Sequence, residues 1–335
     1  MIASVISPSV HIVILNYNGA HLTLDCVESV LKMDYPNFRV LVVDNGSTDG
    51  SVVKLKENLI DPRVQLLANE TNEGYAEGNN RGIEKALAAG ADYVFILNND
   101  TIVEPGSLAA LVEAMERDPK VGIAGCPLFG PGTPARTVYG WRANLYIGDC
   151  AQWFDGPEKP RFGEVDCILG AAMLVRAETL RNIGSFDSRF FLHFEDFEFC
   201  LRAGRAAYKV SIVPGPGILH LAGRTTRRVK PMALFYSTRN RVWLARRHGS
   251  LRQQLVFTLY AFFYLHPRRI LGRIMRGQFD LLAPVLRGIW HGHFAYPGPY
   301  SQSPESRLRT GASLQAPGPL ADRAGVKSKL APPGR

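Results

Sequence analysis

The sequence predicts an α/β protein in which helices flank a central, mostly parallel β-sheet. Three short apolar runs, each ending in Asn or Asp, support this prediction: VHIVILN at 10–16, RVLVVDN at 39–45 and DYVFILNND at 92–100. Near-continuous runs of Val, Ile and Leu are typical of strands buried on both faces of a parallel sheet. Segments with helical periodicity separate these runs, and strands that alternate with helices indicate βαβ units.

The spacing of apolar residues predicts where the helices lie. Between the first two strands, apolar residues recur at helical intervals and predict a helix over residues 20–33. The same period recurs in two later segments, 79–89 and 106–116. Farther along, residues 167–183 have the pattern of a strand followed by the start of a helix, and residues 190–203 carry the acidic start of another.

Charge is distributed unevenly along the chain. Residues 1–220 hold 19 Lys and Arg against 27 Asp and Glu, whereas residues 221–335 hold 20 against 3. The two net charges, −8 and +17, return the +9 of the whole chain. Local basicity of this kind attracts nucleic acid, anionic lipid or a phosphorylated substrate, although it is also compatible with a solvated face and a basic tail.

Composition and length predict three regions. With 335 residues, 46% of them hydrophobic and 21% charged, the chain is neither fibrous nor disordered as a whole. We expect an α/β domain over residues 1–225 and a basic helical extension over 226–297, built from Arg-rich helices at 229–248 and 251–290. From about residue 298 to 335 the chain is dominated by Pro, Gly, Ser and charge, which predicts a disordered tail.

The cysteines and the N-terminus predict a cytoplasmic protein. The five cysteines are odd in number, widely spread and without a CxxC pair, which indicates free thiols rather than disulfides or a zinc cluster. The N-terminal segment has no basic stretch followed by a long apolar one, so we expect no secretory signal.

Polar residues follow the predicted strands where these end. Ligands of open parallel sheets bind beyond the carboxyl ends of the strands. Asn16 ends the first strand, and Asp44 ends the second, where it is placed to accept hydrogen bonds from a nucleotide base or ribose. Asn98 and Asp100 follow the third, where a carboxylate can hold a hard divalent cation that bridges phosphates. Ordinary turns and helix caps remain the alternative interpretation of both acidic motifs.

Two later segments contain further candidate residues. Glu195, Asp196 and Glu198 stand between aromatic residues, and burial with like charge raises carboxylate pKa values, which suits a general base. The alternative is an acidic helix start that the helix dipole stabilises. His220 follows another apolar stretch; a lone His is more often structural, and it becomes a ligand candidate if the fold brings it near Asp100.

Together, these segments resemble the family 2 glycosyltransferases of GT-A fold, in particular the rhamnosyltransferase-like branch. The resemblance covers roughly residues 10–250. Any one motif is weak, but seven in the right order and spacing are specific. The matching stretches are IVILNYNG (12–19), VVDNGSTDGS (42–51), NEGYAEGNNRGI (72–83), FILNNDT (95–101), GAAMLVRAETLRNIGSFDSRFFLHFEDFEFCLRA (170–203), ILHLAGRT (218–225) and FYSTRNRVWLARRHG (235–249).

The resemblance implies a Rossmann-like, mostly parallel sheet with a C-terminal helical extension, and transfer of a sugar from a nucleotide-diphosphate donor with inversion. It implies that Asp44 binds the base and ribose, with Asn16 beside it. Asn98 and Asp100 match the ends of the DxD metal motif; since the first acid is Asn here, binding of Mg²⁺ or Mn²⁺ depends more on Asp100. His220 matches a His that helps to bind metal or diphosphate.

The resemblance also implies the residues of the chemical step. Asp196 matches the catalytic base, with Glu195 beside it. Asn79 to Gly82 match a helix start near the donor diphosphate, where a helix N-terminus suits anions. In an inverting displacement one carboxylate takes the acceptor proton while the diphosphate leaves from the opposite face, and no covalent intermediate is needed.

Two other functions were weighed against this one. A sugar-phosphate nucleotidylyltransferase is expected to have a Gly-rich basic loop after the first strand, where this chain has NYNGAHLTLD without Lys or Arg. A nucleic-acid-binding protein would use the basic region 221–290, with Phe235, Tyr236 and Trp243 stacking on bases. The polar strand ends lie in the acidic half, however, and the basic part has no recognisable binding module, so we expect no nucleic-acid partner.

The resemblance suggests dTDP-rhamnose as donor, with UDP-linked sugars as the alternative, and a glycan or polyprenyl-diphosphate-linked acceptor, in cell-envelope polysaccharide synthesis. The apolar stretch 255–265 is shorter than the roughly 20 residues that a spanning helix needs, and Arg residues flank it on both sides. This pattern fits a helix in the interface of an anionic bilayer, at the inner face of the cell membrane. The alternative is a helix packed on the catalytic domain. Both interpretations can hold if one face of the helix packs on the domain and the other contacts the membrane.

Overall fold

The structure is a computed structural model that describes residues 7–130, 137–138, 140–153, 163–221 and 230–296. The strands, in chain order, are β1 Val10–Asn16, β2 Phe38–Asn45, β3 Val64–Asn69, β4 Tyr93–Asn98, β5 Thr101–Val103, β6 Val121–Gly125, β7 Leu128–Phe129, β8 Thr137–Val138, β9 Gly140–Asn144, β10 Asp149–Trp153, β11 Gly163–Glu164, β12 Ala172–Arg176, β13 Lys209–Ile212 and β14 Ile218–His220. The α-helices are α1 Ala20–Leu31, α2 Ser51–Asn58, α3 Gly74–Ala88, α4 Ser107–Arg117, α5 Ala177–Ile183, α6 Glu195–Arg205, α7 Lys230–His248, α8 Leu251–Tyr260, α9 His266–Ile274 and α10 Leu282–Phe294.

An eight-stranded sheet with the order β11-β13-β6-β12-β4-β1-β2-β3 forms the centre of the fold. Strands β4, β1, β2 and β3 pair in parallel, and β6 pairs in parallel with β13. Strand β12 runs antiparallel between β4 and β6, and the short β11 is antiparallel to β13. The prediction of a mostly parallel central sheet is therefore confirmed.

Helices cover both faces of this sheet because its strands are apolar on both sides. Successive side chains of a strand point to opposite faces. Ile12 and Ile14 of β1 pack in one buried cluster with residues of α1 and α4. Val13 packs in the other, with residues of α3, α5 and α6. The parallel register aligns the carboxyl ends of β4, β1 and β2, so their terminal polar residues lie along one edge.

A small second sheet, with the order β5-β14-β7-β8, lies in the chain after the polar end of β4. Within it, β14 pairs antiparallel with β5, which puts His220 opposite Thr101. The turn between β4 and β5 is closed by the Thr101 hydroxyl, which donates to the Asn98 carbonyl over 2.7 Å. This pairing brings His220 next to the turn that contains Asp100.

Some boundaries differ from those that the sequence predicted. Helix α3 begins at Gly74 rather than at Asn79. The helix expected over 251–290 is interrupted after α9, where Gly277 adopts a positive φ of 63° and a 3-10 turn, Phe279–Leu281, precedes α10. Glycine is favoured in that left-handed conformation, which ends the preceding helix.

Helix α7 packs tightly against α10 and against the region before α6. A side chain at Gly288 would come within 2.7 Å of the Phe235 carbonyl oxygen, and one at Gly292 within 3.0 Å of Val242, so glycine permits the close approach of α10. Arg247 of α7 lies 2.5 Å from the Asp187 carboxylate. Arg241, also of α7, lies 2.9 Å from the Asp149 carboxylate. Both arginine side chains are therefore largely buried, although in the sequence they are among the Arg residues that flank the stretch 255–265.

The expected boundary between the first two regions, at residue 225, lies outside the described residues, as does the tail over 298–335. The three-region division therefore stays a prediction. In the part of the chain that the structure describes, no helix combines the length and apolar character that crossing a bilayer requires.

Candidate active site

A cavity of about 310 Å³ opens at the carboxyl edge of the sheet. It brings together five of the residues that the sequence analysis singled out, which come from β4, the following turn, α6 and β14. These residues are Asn98, Asp100, Glu195, Asp196 and His220. The other three, Asn16, Asp44 and Asn79, do not line this cavity.

Asp100 and His220 form the polar corner of the cavity. The His220 Nε2 atom lies 3.2 Å from Asp100 Oδ1, and both side chains are largely buried. Asn98 lies beside them, with its amide nitrogen 3.5 Å from His220 Nε2. The Tyr75 hydroxyl is 2.9 Å from Asn98 Oδ1 and 2.8 Å from the Gly170 carbonyl oxygen, which fixes the orientation of the Asn98 amide.

Glu195 and Asp196, at the start of α6, also line the cavity. Asp196 accepts hydrogen bonds from two backbone amides, Gly170 N at 3.0 Å and Phe197 N at 2.8 Å. Glu195 Oε2 is buried and has no hydrogen-bond partner among the described residues. Burial raises the pKa of both carboxyls, and the charge of Asp196 raises the pKa of Glu195 further. Since more backbone amides stabilise the Asp196 carboxylate than the Glu195 carboxylate, the negative charge of the pair resides mainly on Asp196.

Asp44 and Asn16 belong to a buried network beside the cavity. Asn16 donates from its amide to Asp44 Oδ2 over 2.6 Å, and the Ser47 amide donates to Asp44 Oδ1 over 2.9 Å. Thr23 in turn donates to Asn16 Oδ1 over 2.7 Å. In this structure the carboxylate of Asp44 thus orders the turn after β2.

Asn79 does not lie at a helix start, so that expectation is wrong. Because α3 begins at Gly74, Asn79 lies in its second turn, where the side-chain amide donates to the Tyr75 carbonyl over 2.9 Å. The first amides of the helix, those of Tyr75 and Ala76, donate to the Phe191 carbonyl oxygen at 2.6 and 3.3 Å. The first amides of α3 are therefore occupied by the protein itself, and the segment Asn79 to Gly82 lies inside the helix.

Several lining residues were not singled out from the sequence. Tyr75 and Gly170 contribute a hydroxyl and a backbone amide, and the aromatic and apolar walls come from Phe191, Leu192 and Met232. All of these except Met232 stood within stretches that resemble the family, but no residue type there indicated a role in the cavity. The residue types around Phe191 do not indicate the positive φ of 61° that its backbone adopts.

The donor atoms at Asp100 and His220 fit a divalent cation that takes its remaining ligands from a substrate. No group of three or more His, Cys, Asp or Glu residues placed to hold a metal occurs among the described residues. One carboxylate and one imidazole border an open cavity instead, and the Asn98 amide oxygen faces the Tyr75 hydroxyl. Hard oxygen ligands suit Mg²⁺ and Mn²⁺, and an added imidazole favours Mn²⁺.

Comparison with known families agrees with this geometry. The family described as "Glycosyl transferase family 2" matches residues 11–184, more than half of the chain. The chain belongs to glycosyl transferase family 2. The matched range contains the polar strand ends and Asp100, and it stops before Glu195 and Asp196.

Curated relatives of this family 2 chain include rhamnosyltransferases. An N-acetylglucosaminyl-diphospho-decaprenol L-rhamnosyltransferase of Mycobacterium tuberculosis is 31% identical over 270 residues, which cover 72% of this chain and 85% of that protein. A dTDP-rhamnosyl transferase of Shigella flexneri is 24% identical over 249 residues, which cover 72% and 81%. The chain is therefore a rhamnosyltransferase-like glycosyltransferase.

Solved structures of similar fold confirm the GT-A architecture. S. aureus TarS 1-349 in complex with UDP-GlcNAc superposes with a TM-score of 0.57 at 14% identity, over 86% of this chain and 82% of that one. A mannosyltransferase from Pyrobaculum calidifontis in complex with GDP-Man and Mn²⁺ gives a TM-score of 0.56 at 14% identity, over 87% and 88%.

Proposed function

We propose that this glycosyltransferase moves rhamnose from dTDP-rhamnose to a hydroxyl of a glycan or polyprenyl-diphosphate-linked acceptor, with inversion at the sugar. The observation that carries the proposal is the placement of Asp196. Its carboxylate is held by two backbone amides at the same cavity that Asp100 and His220 line. The two rhamnosyltransferase relatives support the choice of sugar.

Asp196 is the proposed general base. It takes the proton of the acceptor hydroxyl while that oxygen bonds to the anomeric carbon, and the bond from this carbon to the donor diphosphate breaks with its electron pair leaving on the diphosphate. A base acts best when its pKa is near the working pH, and burial raises the pKa of Asp196 in that direction. Glu195, whose pKa is raised further by the charge of Asp196, keeps the site from accumulating a second charge.

The proposed diphosphate site is at Asp100 and His220, whose side chains would hold Mg²⁺ or Mn²⁺, and the cation would neutralise charge on the departing diphosphate. The Tyr75 hydroxyl orients the Asn98 amide beside this site, with the amide oxygen toward Tyr75 and the amide nitrogen toward His220. The network of Asn16 and Asp44 orders the neighbouring turn, where the base and ribose of the donor are proposed to bind.

The proposed location is the cytoplasmic surface of the cell membrane, reached through α8, α9 and α10. Large apolar side chains there are exposed to an unusual degree; Leu251 is 85% exposed, Phe263 81% and Met275 77%. Exposed arginines, Arg252, Arg268 and Arg276 among them, lie in the same helical region. A patch of this kind with cations around it suits the interface of an anionic bilayer, where a polyprenyl-linked acceptor would also reside.

A donor panel tests the proposal. The purified full chain would be incubated with dTDP-rhamnose, UDP-GlcNAc and GDP-Man, each with Mg²⁺ or Mn²⁺, with and without a polyprenyl-diphosphate-linked N-acetylglucosamine. We expect dTDP release from dTDP-rhamnose, increased by the acceptor, together with a rhamnosylated lipid whose anomeric configuration is inverted. Preference for another donor would reject rhamnose, and retained configuration would reject the single displacement.

A further inference from the structure

The segment just before the carboxylate pair has an uncommon backbone conformation. Phe191, His193 and Phe194 have φ values of 61°, 69° and 71°. Non-glycine residues rarely adopt positive φ, and they keep it only where surrounding contacts hold them. Phe194 is the N-cap residue of α6, so the conformation of this segment determines where Glu195 and Asp196 point.

Helix α7 supplies the contacts that hold this segment. The side-chain amide nitrogen of Asn240 lies within hydrogen-bonding distance of three carbonyl oxygens of this segment: 2.8 Å from that of Phe190, 2.9 Å from that of Leu192 and 2.7 Å from that of His193. Asn240 is completely buried. A carbonyl cluster of this kind needs a donor at its centre, because buried unsatisfied carbonyls are costly.

Arg239 fixes the position of Asn240. Its Nε donates to Asn240 Oδ1 over 2.8 Å, and its Nη2 lies 2.5 Å from the Arg189 carbonyl oxygen. The guanidinium lies 3.8 Å from the Trp243 ring centroid and 4.6 Å from that of Tyr236. Burial lowers the pKa of Arg239 to about 10, still high enough for the group to remain charged at neutral pH.

The same segment also contacts the start of α3, which holds the Asn98 side chain. The Phe191 carbonyl accepts from the first amides of α3, Tyr75 N and Ala76 N, and its ring stacks on Tyr236 at 4.7 Å. Tyr75 in turn contacts Asn98. One strained segment, held by α7, therefore connects the carboxylate pair to the Asn98 side of the site.

We propose that Asn240 is a positioning residue for the reaction: by binding the carbonyls of Phe190, Leu192 and His193 it holds Asp196 in its buried, amide-bound orientation. The inference rests on the proposed function, in which Asp196 is the base. Without the Asn240 amide, the segment relaxes, water enters beside the carboxylates, and the base loses its alignment while the donor site stays formed.

The test compares Asn240→Ala and Asn240→Asp with a matched control, Val242→Ala. Asp has the shape of Asn but presents oxygen instead of N–H to three carbonyls. Val242 is equally buried on the same helix and contacts Gly292 of α10 instead. Asn240→Ser, which keeps one O–H donor, replaces the other two Asn240 variants if they fail to fold. A thermal shift on binding dTDP verifies that each variant is folded.

We expect both Asn240 variants to lower kcat for transfer by about 10-fold or more, with a donor KM within about 2-fold of the parent, and Asn240→Ser to lie between. The pH profile provides a readout that lost stability alone would not move. Titratable groups near Asp196 are Glu195, Tyr75, Cys167 and Cys200. Transfer is lost as pH falls through the pKa of the base, and hydration lowers that pKa, so the acid limb moves to lower pH in the Asn240 variants.

A kcat that falls no more than in Val242→Ala at matched thermal stability, with the acid limb unmoved, overturns the positioning role. Asp196→Asn is measured beside these variants. If it abolishes transfer while the Asn240 variants match the control, only the positioning role fails. If it leaves transfer intact, the proposed base fails, whatever the Asn240 variants do.

Discussion

The imidazole Nε2 of His220 lies 3.2 Å from Oδ1 of Asp100, although the two residues come from β14 and from the turn after β4. The small antiparallel sheet creates this contact by pairing β14 with β5. A lone His in a sequence is a weak ligand candidate. Beside a carboxylate at an open cavity, it becomes part of the cation site proposed above, which a diphosphate would complete.

Removal of Asp100 should abolish metal-dependent transfer. We expect Asp100→Ala to lower kcat/KM by about 10²-fold or more, because a bound cation supplies several kcal/mol of charge stabilisation. His220→Ala should weaken activation by Mn²⁺ more than activation by Mg²⁺, since imidazole is the softer ligand. Initial rates over a range of each metal, after exhaustive chelation, provide the measurement. Asp25→Ala, on the outer face of α1, is the control. Full activity after chelation would exclude the cation site.

A buried ion cluster should dominate the acid stability of the protein. Burial alone would raise the pKa of Glu198, but Arg202, His248 and Arg247 lower it to about 2. We expect Glu198→Gln to reduce the free energy of unfolding by about 3–5 kcal/mol, because it leaves buried cations uncompensated. Glu113→Gln, from an exposed pair with Arg117, should change it by less than about 1 kcal/mol.

The pH dependence of that stability has a defined sign. The depressed pKa of Glu198 means that its contribution is present above the unfolded-state value of 4.5 and is lost as pH falls from there toward 2. Denaturant titrations between pH 7 and pH 2.5 should therefore show a steeper loss of stability in the parent than in Glu198→Gln. Parallel curves for the two proteins would contradict the role of the cluster.

The exposed apolar patch should govern binding to membranes. We expect the triple change Phe263→Ser, Met275→Ser and Trp290→Ser to reduce co-sedimentation with anionic liposomes at low salt by about 10-fold or more, because each side chain loses apolar area that the interface would bury. Hydrolysis of the soluble donor should be unchanged. The control is Ile60→Ser, because Ile60 is 86% exposed and follows α2, outside the helical region that contains the patch. Equal binding by the triple variant and the parent would exclude this surface.

The sequence predicts correctly those strands that are buried on both faces of the sheet, because nearly all of their side chains are apolar. Strands β1, β2 and β4 are apolar almost throughout, and their predicted positions agree with the structure. Strand β3 was not predicted. It lies at the edge of the sheet, and its half-buried residues give a weaker pattern.

The candidate site was only partly accessible from the sequence. Asp100, Asp196 and His220 were identified because charged or imidazole groups after apolar runs stand out. Asn240 was not, since its role depends on carbonyls of a segment almost fifty residues earlier in the chain, held in a conformation that residue types do not predict. Arg247 is one of the arginines that flank the apolar stretch 255–265 in the sequence, but its side chain is buried against Asp187 and Glu198, which lie in a different part of the chain.

The most direct test of the account is Asp196→Asn, which keeps the shape of the side chain and its place at the Gly170 amide but removes its ability to take a proton. The measurement is single-turnover transfer from dTDP-rhamnose to the lipid-linked acceptor, with donor affinity determined on the same preparation. We expect donor affinity within about 3-fold of the parent and a transfer rate lower by about 10² to 10⁴. Transfer at a rate near that of the parent would contradict the assignment of Asp196 as the base.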